Sequence, residues 1–274
     1  MRRRLRRFLR SPLTIFAVVV VLLLLVAAVF APQLATHLPN RQDFRAVLQP
    51  PSATHWLGTD EIGRDIYSRV IFGARISVTV GLLSVGLGGL VGILIGLVSG
   101  FYGGAVDSVL MRLIDVLLAF PGILLAILLA TALGAGLVPV IIAVAAYSVP
   151  TFARVMRGSV LSVRTREFVE AARAVGVGDA TVLVRHIFLN SFAPVLVYAT
   201  LLMGGAILTA AALSFLGVGV APPTPEWGAM ISTARTYMRQ APHVILGPGV
   251  AIFVTVLAFN ILGDALRDAL DPKN

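Results

Sequence analysis

Long stretches without a charged side chain are the feature that most constrains the fold of this chain. Residues 11–40, 76–106, 116–153, 186–225 and 240–263 contain no Asp, Glu, Lys or Arg. A helix needs about 20 apolar residues to cross the hydrocarbon core of a bilayer. Because 58% of the 274 residues are hydrophobic and only 13% are charged, an all-α membrane protein with several spans is predicted.

The charge-free stretches predict six transmembrane helices. The stretch at 116–153 is too long for one span and is interrupted at Gly134–Gly136, and its first helix can begin near Asp107. The predicted spans are therefore 13–31, 77–99, 107–132, 137–157, 192–216 and 247–266.

The distribution of arginine predicts the orientation. Six of the first ten residues are arginine, and six more arginines lie between Arg154 and Arg185. By the positive-inside rule both places are cytoplasmic, so both termini lie inside and the segments 32–76 and about 217–246 lie outside. This placement also accounts for most of the net charge of +9, which disfavours nucleic-acid binding as its explanation.

The first span could instead be a cleaved signal peptide, because a basic region precedes it. The apolar run from Leu13 to Ala31 is long, and no A-x-A site ends it. An uncleaved anchor is therefore favoured.

Several kinds of chemistry are not supported by the sequence. There is no cysteine, and the single lysine, Lys273, cannot serve a P-loop, so no ATPase site is expected in this chain. The four histidines, at positions 37, 55, 186 and 243, show no paired-ligand spacing, and no metal, cofactor or catalytic residue is predicted.

Four glycines recur at every fourth position within the second span: Gly88, Gly92, Gly96 and Gly100. This spacing puts them on one helical face, where small residues allow two backbones to approach closely in lipid. We interpret them as a helix-packing surface.

Arg112 and Asp115 lie one turn apart near the start of the third span. Ionisable groups in membranes often belong to a proton relay or a substrate path. The favoured interpretation is a mutual i,i+3 pair at the membrane interface.

A polar loop at 158–191 separates the fourth and fifth spans. Phe168, Ala171, Ala172 and Val175 would share one face of a short helix, with Glu167 and Glu170 in its first turns. Gly176 can adopt the positive φ that ends a helix. From residues alone, an interfacial amphipathic helix and a docking helix for a partner are nearly equally supported.

The order Glu170-Ala171-Ala172 and then Gly176 resembles the EAA loop of ATP-binding-cassette (ABC) importer permeases. Other segments are similar to the C-type permease subunits of dipeptide, oligopeptide and nickel importers: 57–65 with 68–69 and 73–75, 103–115, 213–217, 222–228, and 260–272. Two departures are Phe188-Leu189 where that family has Leu-Pro, and Ala210 where it often has Glu.

The resemblance implies an inner-membrane permease that does no covalent chemistry. Its expected partners are a second homologous permease, two cytoplasmic ATPases that bind ATP and Mg²⁺, an extracytoplasmic solute-binding protein and membrane lipid. The expected organisation is a basic N-terminus (1–12), a first span (13–31), an extracytoplasmic segment (32–76), a five-helix core (77–266) and a cytoplasmic tail (267–274).

The resemblance also assigns roles to residues. The ATPase-coupling set is Glu167, Phe168, Glu170, Ala171, Ala172 and Gly176. From the spacing of the glycines, and not from the resemblance, bulky replacements of Gly92 and Gly96 are expected to block assembly with the partner permease. A peptide is the expected solute, with nickel or another solute as the alternative within the family. A membrane-embedded enzyme or a self-contained channel is the alternative from another class.

Overall fold

The computed structural model of the chain describes residues 11–270, which are mostly helical. The basic N-terminus, the end of the cytoplasmic tail and Lys273 lie outside the described residues. The helices are α1 (Pro12–Val29), α2 (Ala31–Leu34), α3 (Ile66–Tyr102), α4 (Gly104–Leu118), α5 (Gly122–Leu133), α6 (Leu137–Val163), α7 (Glu167–Ala174), α8 (Asp179–Thr181), α9 (Leu189–Phe215), α10 (Trp227–Ala234) and α11 (His243–Leu270). A π-helical stretch, Val182–Phe188, joins α8 to α9, and a 3₁₀ turn, Arg235–Tyr237, follows α10.

The long helices pack around two buried apolar clusters. One lies among α3, α5, α6, α7 and α9, and includes Phe152 and Met156. The other lies among α1, α3, α10 and α11, around Trp227. Large apolar side chains elsewhere on these helices, such as Leu82, Leu90 and Leu94 of α3, are more than half exposed. Such outward apolar faces suit contact with lipid.

The glycine face of α3 lies against α6 of the same chain. A Cβ added at Gly88 or Gly92 would be 2.5 Å from the carbonyl oxygen of Ala145 or Val149, respectively. At Gly96 and Gly100 the added atom would be 2.8 Å from the Cβ atoms of α6 side chains. The two backbones are therefore as close as small residues permit. The neighbour of these glycines is therefore an internal helix, and the effect of bulky replacements on assembly with the partner permease stays a prediction.

The third predicted span, 107–132, was wrong as a continuous helix. It is broken between Leu118 and Gly122, and the axes of α4 and α5 differ by 85°. Pro121 explains the break, because proline lacks an N–H and disfavours helical geometry at the residue before it, Phe120. Within residues 11–270, five helices are long and apolar enough to cross a membrane, and α4 with α5 makes a sixth if the pair crosses once.

The helix that contains the second predicted span, 77–99, begins well before that span. α3 starts at Ile66, and the Asp65 side chain caps it by accepting a hydrogen bond from the Ser68 N–H at 2.8 Å. An N-terminal cap of this kind satisfies one of the free N–H groups of the first turn. The segment that joins α2 to α3 therefore ends at residue 65, and the last residues of the predicted extracytoplasmic segment 32–76 belong to α3.

Contacts between loops agree with the predicted sides of the membrane. Arg69 donates to the carbonyl oxygen of Pro39 at 3.0 Å and to that of Pro223 at 3.4 Å, which joins the two segments predicted to lie outside. At the opposite ends, Arg164 after α6 donates to the carbonyl oxygen of Gly100 at 2.8 Å. Segments assigned to the same side by the arginine distribution thus meet in space.

Glu226 precedes α10 in the loop that follows α9. Its carboxylate accepts a hydrogen bond from the N–H of Ala229 at 2.8 Å, and the residue is only 4% exposed. Burial raises the pKa of Glu226, although hydrogen bonds from the α10 backbone and Ser214 oppose this effect. Among residues 11–270 the carboxylate has no ion-pair partner, so its charge is held there at a cost.

Candidate functional site

The predicted short helix exists as α7, between the ends of α6 and α9. It begins at Glu167, after Arg166 in extended conformation, and Glu170 also lies in its first turn. Carboxylates at this end of a helix interact favourably with the helix dipole. The surrounding segment is shorter than the predicted loop 158–191, because α6 continues to Val163 and α9 starts at Leu189.

One side of α7 packs against the larger buried apolar cluster of the protein. Val169 is fully buried and Ala172 is 8% exposed, and both belong to the cluster that contains Val163, Val182 and Ile187. These contacts join α7 to the end of α6 and to the π-helical stretch. α7 therefore packs against the end of α6 and against the stretch that leads into α9.

The other side of α7 is exposed as far as residues 11–270 show. Phe168 is 43% exposed and Val175 is 79% exposed, while Glu167, Glu170 and Ala171 are exposed as well. We predicted one apolar face containing Phe168, Ala171, Ala172 and Val175, but the buried pair is Val169 with Ala172. The apolar residues are thus divided between a packed face and an exposed face, which a helical period alone does not distinguish.

Gly176 ends the helix in a Schellman motif. Its φ is +81°, and its N–H donates to the carbonyl oxygen of Arg173 at 3.0 Å. The N–H of Val177 donates to the carbonyl oxygen of Ala172 at 3.1 Å. This pattern satisfies the last carbonyl groups of the helix and depends on a residue that tolerates a left-handed backbone.

Arginine side chains attach the same region to the end of α3. Arg164 donates to the Gly100 carbonyl oxygen, and the guanidinium of Arg173 lies 5.5 Å from the centre of the Phe101 ring. Nearby, Arg157 of α6 forms two hydrogen bonds with Asp107 of α4, at 2.5 and 2.6 Å. α7 and the last glycine of the glycine face, Gly100, therefore lie at the same end of the α3–α6 pair.

The return from α7 to the membrane contains no sharp turn at residues 188–190. α8, the π-helical stretch and α9 follow one another directly. The Asn190 side-chain amide donates to the carbonyl oxygen of His186 at 2.6 Å. Without proline at position 189, the helix continues through this point, and Pro194 lies within α9.

The predicted pair of Arg112 with Asp115 was wrong. Asp115 accepts a hydrogen bond from Arg154 of α6 at 2.7 Å. Arg154 and Asp115 are more than half exposed, so this pair contributes little to stability. Sequence spacing found the neighbour on the same helix and missed the partner 39 positions away.

Two of the histidines that looked scattered in the sequence lie together. The rings of His37 and His55 are stacked with centroids 4.7 Å apart, and the His55 Nδ1 atom is 2.9 Å from the Asp65 Oδ1 atom. Burial raises the pKa of Asp65, but hydrogen bonds from Ser68 and His55 and the proximity of His37 outweigh it and hold this pKa below its ordinary value. No local spacing signal could have found this group.

Comparison with known families gives two matches along the chain. Residues 92–274 match the binding-protein-dependent transport system inner membrane component family. Residues 1–51 match the N-terminal transmembrane domain of oligopeptide transport permease C. The two regions together include the first span, the glycine face from Gly92 onward, and α7.

Relatives with similar sequences extend over almost the whole chain. The glutathione transport system permease protein GsiD of Pectobacterium atrosepticum is 48% identical over 269 residues, which cover 98% of this chain and 89% of that protein. GsiD of Escherichia coli is 50% identical with the same coverage.

Solved structures support the fold. An inward-facing conformation of the MetNI methionine ABC transporter aligns with a TM-score of 0.61 at 17% identity, covering 74% of this chain and 97% of that one. An amino acid ABC transporter with histidines aligns with a TM-score of 0.57 at 17% identity, covering 72% and 92% of the two chains. The family matches, the relatives and the helical architecture agree: this chain belongs to the binding-protein-dependent transport system inner membrane component family and is a multi-pass permease subunit of a bacterial inner-membrane ABC importer.

Proposed function

We propose that this permease imports short peptides of the glutathione type and that α7 is the helix through which cytoplasmic ATPases drive it. The observation that carries the coupling proposal is the division of α7 into two sides. Val169 and Ala172 hold the helix to the core, while Glu167, Phe168, Glu170 and Ala171 face away from it. A helix built in this way can receive force on one side and transmit it on the other.

The exposed side of α7 has the chemistry of a docking surface. The ring of Phe168 offers apolar area for a pocket on a partner, and the two carboxylates offer acceptors for basic or backbone donors. The Schellman motif at Gly176 fixes the length and direction of the helix. The sequence resemblance to the EAA loop supports the same assignment.

Transmission would follow the buried contacts of α7. Val182 and Ile187 link it to α9, and Val163 links it to α6, which packs along α3 through the glycine face. A displacement of α7 would therefore shift three spans as a group. Binding energy of ATP at the partner would in this way change the population of outward-open and inward-open states.

The chain would act within a larger assembly. A second homologous permease, two ATPases and an extracytoplasmic binding protein are the proposed partners. ATP and Mg²⁺ would bind the ATPases, because a P-loop requires a lysine that contacts the phosphates and this chain has only Lys273.

Two variants test the coupling role with the assembled importer in lipid nanodiscs. Glu170→Lys reverses an exposed charge on α7, and Phe168→Ser removes the exposed ring. Loss of a hydrogen bond to a charged group costs about 1.5–3 kcal/mol, so weaker ATPase attachment and loss of substrate-stimulated ATP hydrolysis are expected. Asp268→Lys, an equal charge reversal at an exposed position of α11, serves as the control.

The amount of assembled complex is measured separately from its activity. Unchanged transport and ATPase recovery in both α7 variants would leave α7 as an interfacial helix only. A defect of the same size in the Asp268→Lys control would show a general effect of added positive charge.

The proposed substrate class rests on the relatives, which are glutathione transport permeases and are 48–50% identical over nearly the full chain. Uptake of labelled glutathione into vesicles containing the complete importer is the direct test. Excess unlabelled glutathione or dipeptide is expected to compete, and Ni²⁺ is not. Absence of glutathione uptake together with uptake of Ni²⁺ by the same vesicles would replace the peptide assignment with the metal-solute alternative.

A further inference from the structure

We infer that His37, His55 and Asp65 form a binding site for a divalent transition-metal ion of the Zn²⁺ type on the outer side of the chain. The three residues come from different parts of the segment that joins α2 to α3. Each offers one ligand atom, and these atoms lie within 4.8 Å of one another.

The distances are close to those of a tetrahedral site. Nδ1 of His55 is 2.9 Å and Nδ1 of His37 is 3.8 Å from the same atom, Oδ1 of Asp65. With metal–ligand bonds of about 2.0–2.1 Å, tetrahedral ligands lie about 3.3–3.4 Å apart. The two histidine–carboxylate separations bracket that value. Because the imidazoles are stacked and Nδ1 of His37 also lies 2.9 Å from the Thr36 hydroxyl oxygen, the His37 ring must rotate out of the stack to bring all three atoms into bonding distance.

Neighbouring groups already orient the carboxylate. Oδ2 of Asp65 accepts a hydrogen bond from the Ser68 N–H at 2.8 Å and lies 3.3 Å from the Thr36 hydroxyl oxygen. Oδ1 thereby remains directed at the two imidazoles. Hydrogen bonds of this kind fix the ligands of metal sites and strengthen binding.

Exposure and ligand type suggest which ion would bind. The Asp65 side chain is 1% exposed, that of His55 is 16% exposed and that of His37 is 32% exposed, so the site is closed on the protein side and open toward solvent. Two imidazoles and one carboxylate suit Zn²⁺, Ni²⁺ or Cu²⁺, whereas Ca²⁺ and Mg²⁺ require mainly oxygen ligands. The open side leaves room for a water molecule as fourth ligand.

A bound ion would join the segment after α2 to the first turn of α3. His37 and Asp65 are 28 positions apart, and the same segment contacts the loop after α9 through Arg69. The ion would therefore cross-link the extracytoplasmic segments of the permease. This inference does not depend on the transported solute or on the role of α7.

Metal content of the purified importer is the first measurement. The protein carries a tag without histidine, is treated with EDTA, and is then dialysed against about 1 µM ZnCl₂ with 5 mM MgCl₂, concentrations chosen to exploit the ligand preference. The expected result is one Zn²⁺ per chain. His37→Ala and Asp65→Asn are expected to weaken binding at least tenfold, and asparagine preserves the helix cap. His186→Ala, which removes a histidine elsewhere, should bind as the unmodified chain does.

Limited trypsin digestion tests the cross-link separately. Arg41 and Arg45 are exposed within the joined segment, so Zn²⁺ is expected to slow cleavage there in the unmodified chain and not in His37→Ala. Because the His37 side chain is one third exposed, this variant should fold, which size-exclusion chromatography checks. Equal Zn²⁺ content in the unmodified chain and His37→Ala would overturn the inference. The group would then serve only as the hydrogen-bonded cap of α3.

Discussion

The close approach of α3 to α6 gives the sharpest structural prediction. Gly92→Ala adds a single methyl group on the packed face of α3. The added Cβ would lie 2.5 Å from the Val149 carbonyl oxygen, 2.6 Å from the Phe152 Cβ and 3.0 Å from the Ala153 N atom. Two of these three atoms belong to the backbone, so a side-chain rotation cannot remove the clash.

The size of the effect follows from the required separation. Ordinary contacts begin near 3.4 Å, so the helices must part locally by about 0.9 Å from the 2.5 Å approach. A gap of 0.5–1 Å loses roughly a quarter to a half of the dispersion energy of the atoms concerned. Over-packing of this kind costs about 1–3 kcal/mol. Phe152 and Met156, which are 1% and 0% exposed, would lose most of the contact.

Gly86→Ala is the matched control, because an added Cβ at Gly86 on the same helix meets nothing within 4 Å. Both variants gain the same helix propensity, about 0.5–1 kcal/mol, so their difference isolates the packing cost. The free energy of unfolding is measured by SDS titration in mixed micelles, using tryptophan fluorescence. Gly92→Ala should be less stable than Gly86→Ala by about 1–3 kcal/mol. Equal stability would refute the described helix contact.

Three further predictions concern the helix end, a buried carboxyl and the topology. Gly176→Ala should cost about 1–2 kcal/mol because φ is +81° there, whereas Gly178→Ala, where φ is −64°, should be nearly neutral in the same assay. Because the pKa of Glu226 is raised in the fold, at a pH between 4.5 and the raised value the folded chain keeps a proton that the unfolded chain has lost. The free energy of unfolding therefore falls as pH rises from the ordinary pKa of 4.5 through the raised pKa. Glu226→Gln should stabilise the fold increasingly over that pH range and have no such effect below it. A difference in stability between the variant and the unmodified chain that does not change with pH would contradict this. In intact cells an impermeant thiol reagent should label Ser52→Cys and not Thr165→Cys, and labelling of the latter would exclude the proposed orientation.

Local sequence patterns determined much of the fold. Charge-free stretches identified the long helices, because the bilayer requires apolar residues over a known length. The spacing of Gly88, Gly92, Gly96 and Gly100 identified a close helix contact, and Gly176 identified the end of α7, because only glycine readily adopts that backbone. These features are determined by short segments of the sequence and do not depend on distant residues.

Only the tertiary structure decided which elements meet. It assigned the glycine face to α6, paired Asp115 with Arg154 rather than Arg112, and chose Val169 and Ala172 as the buried side of α7. It also brought His37, His55 and Asp65 together. Helical periodicity states which residues share a face, but it does not state what packs against that face. Partners far apart in sequence are selected by the joint packing of several helices, and no single segment contains that information.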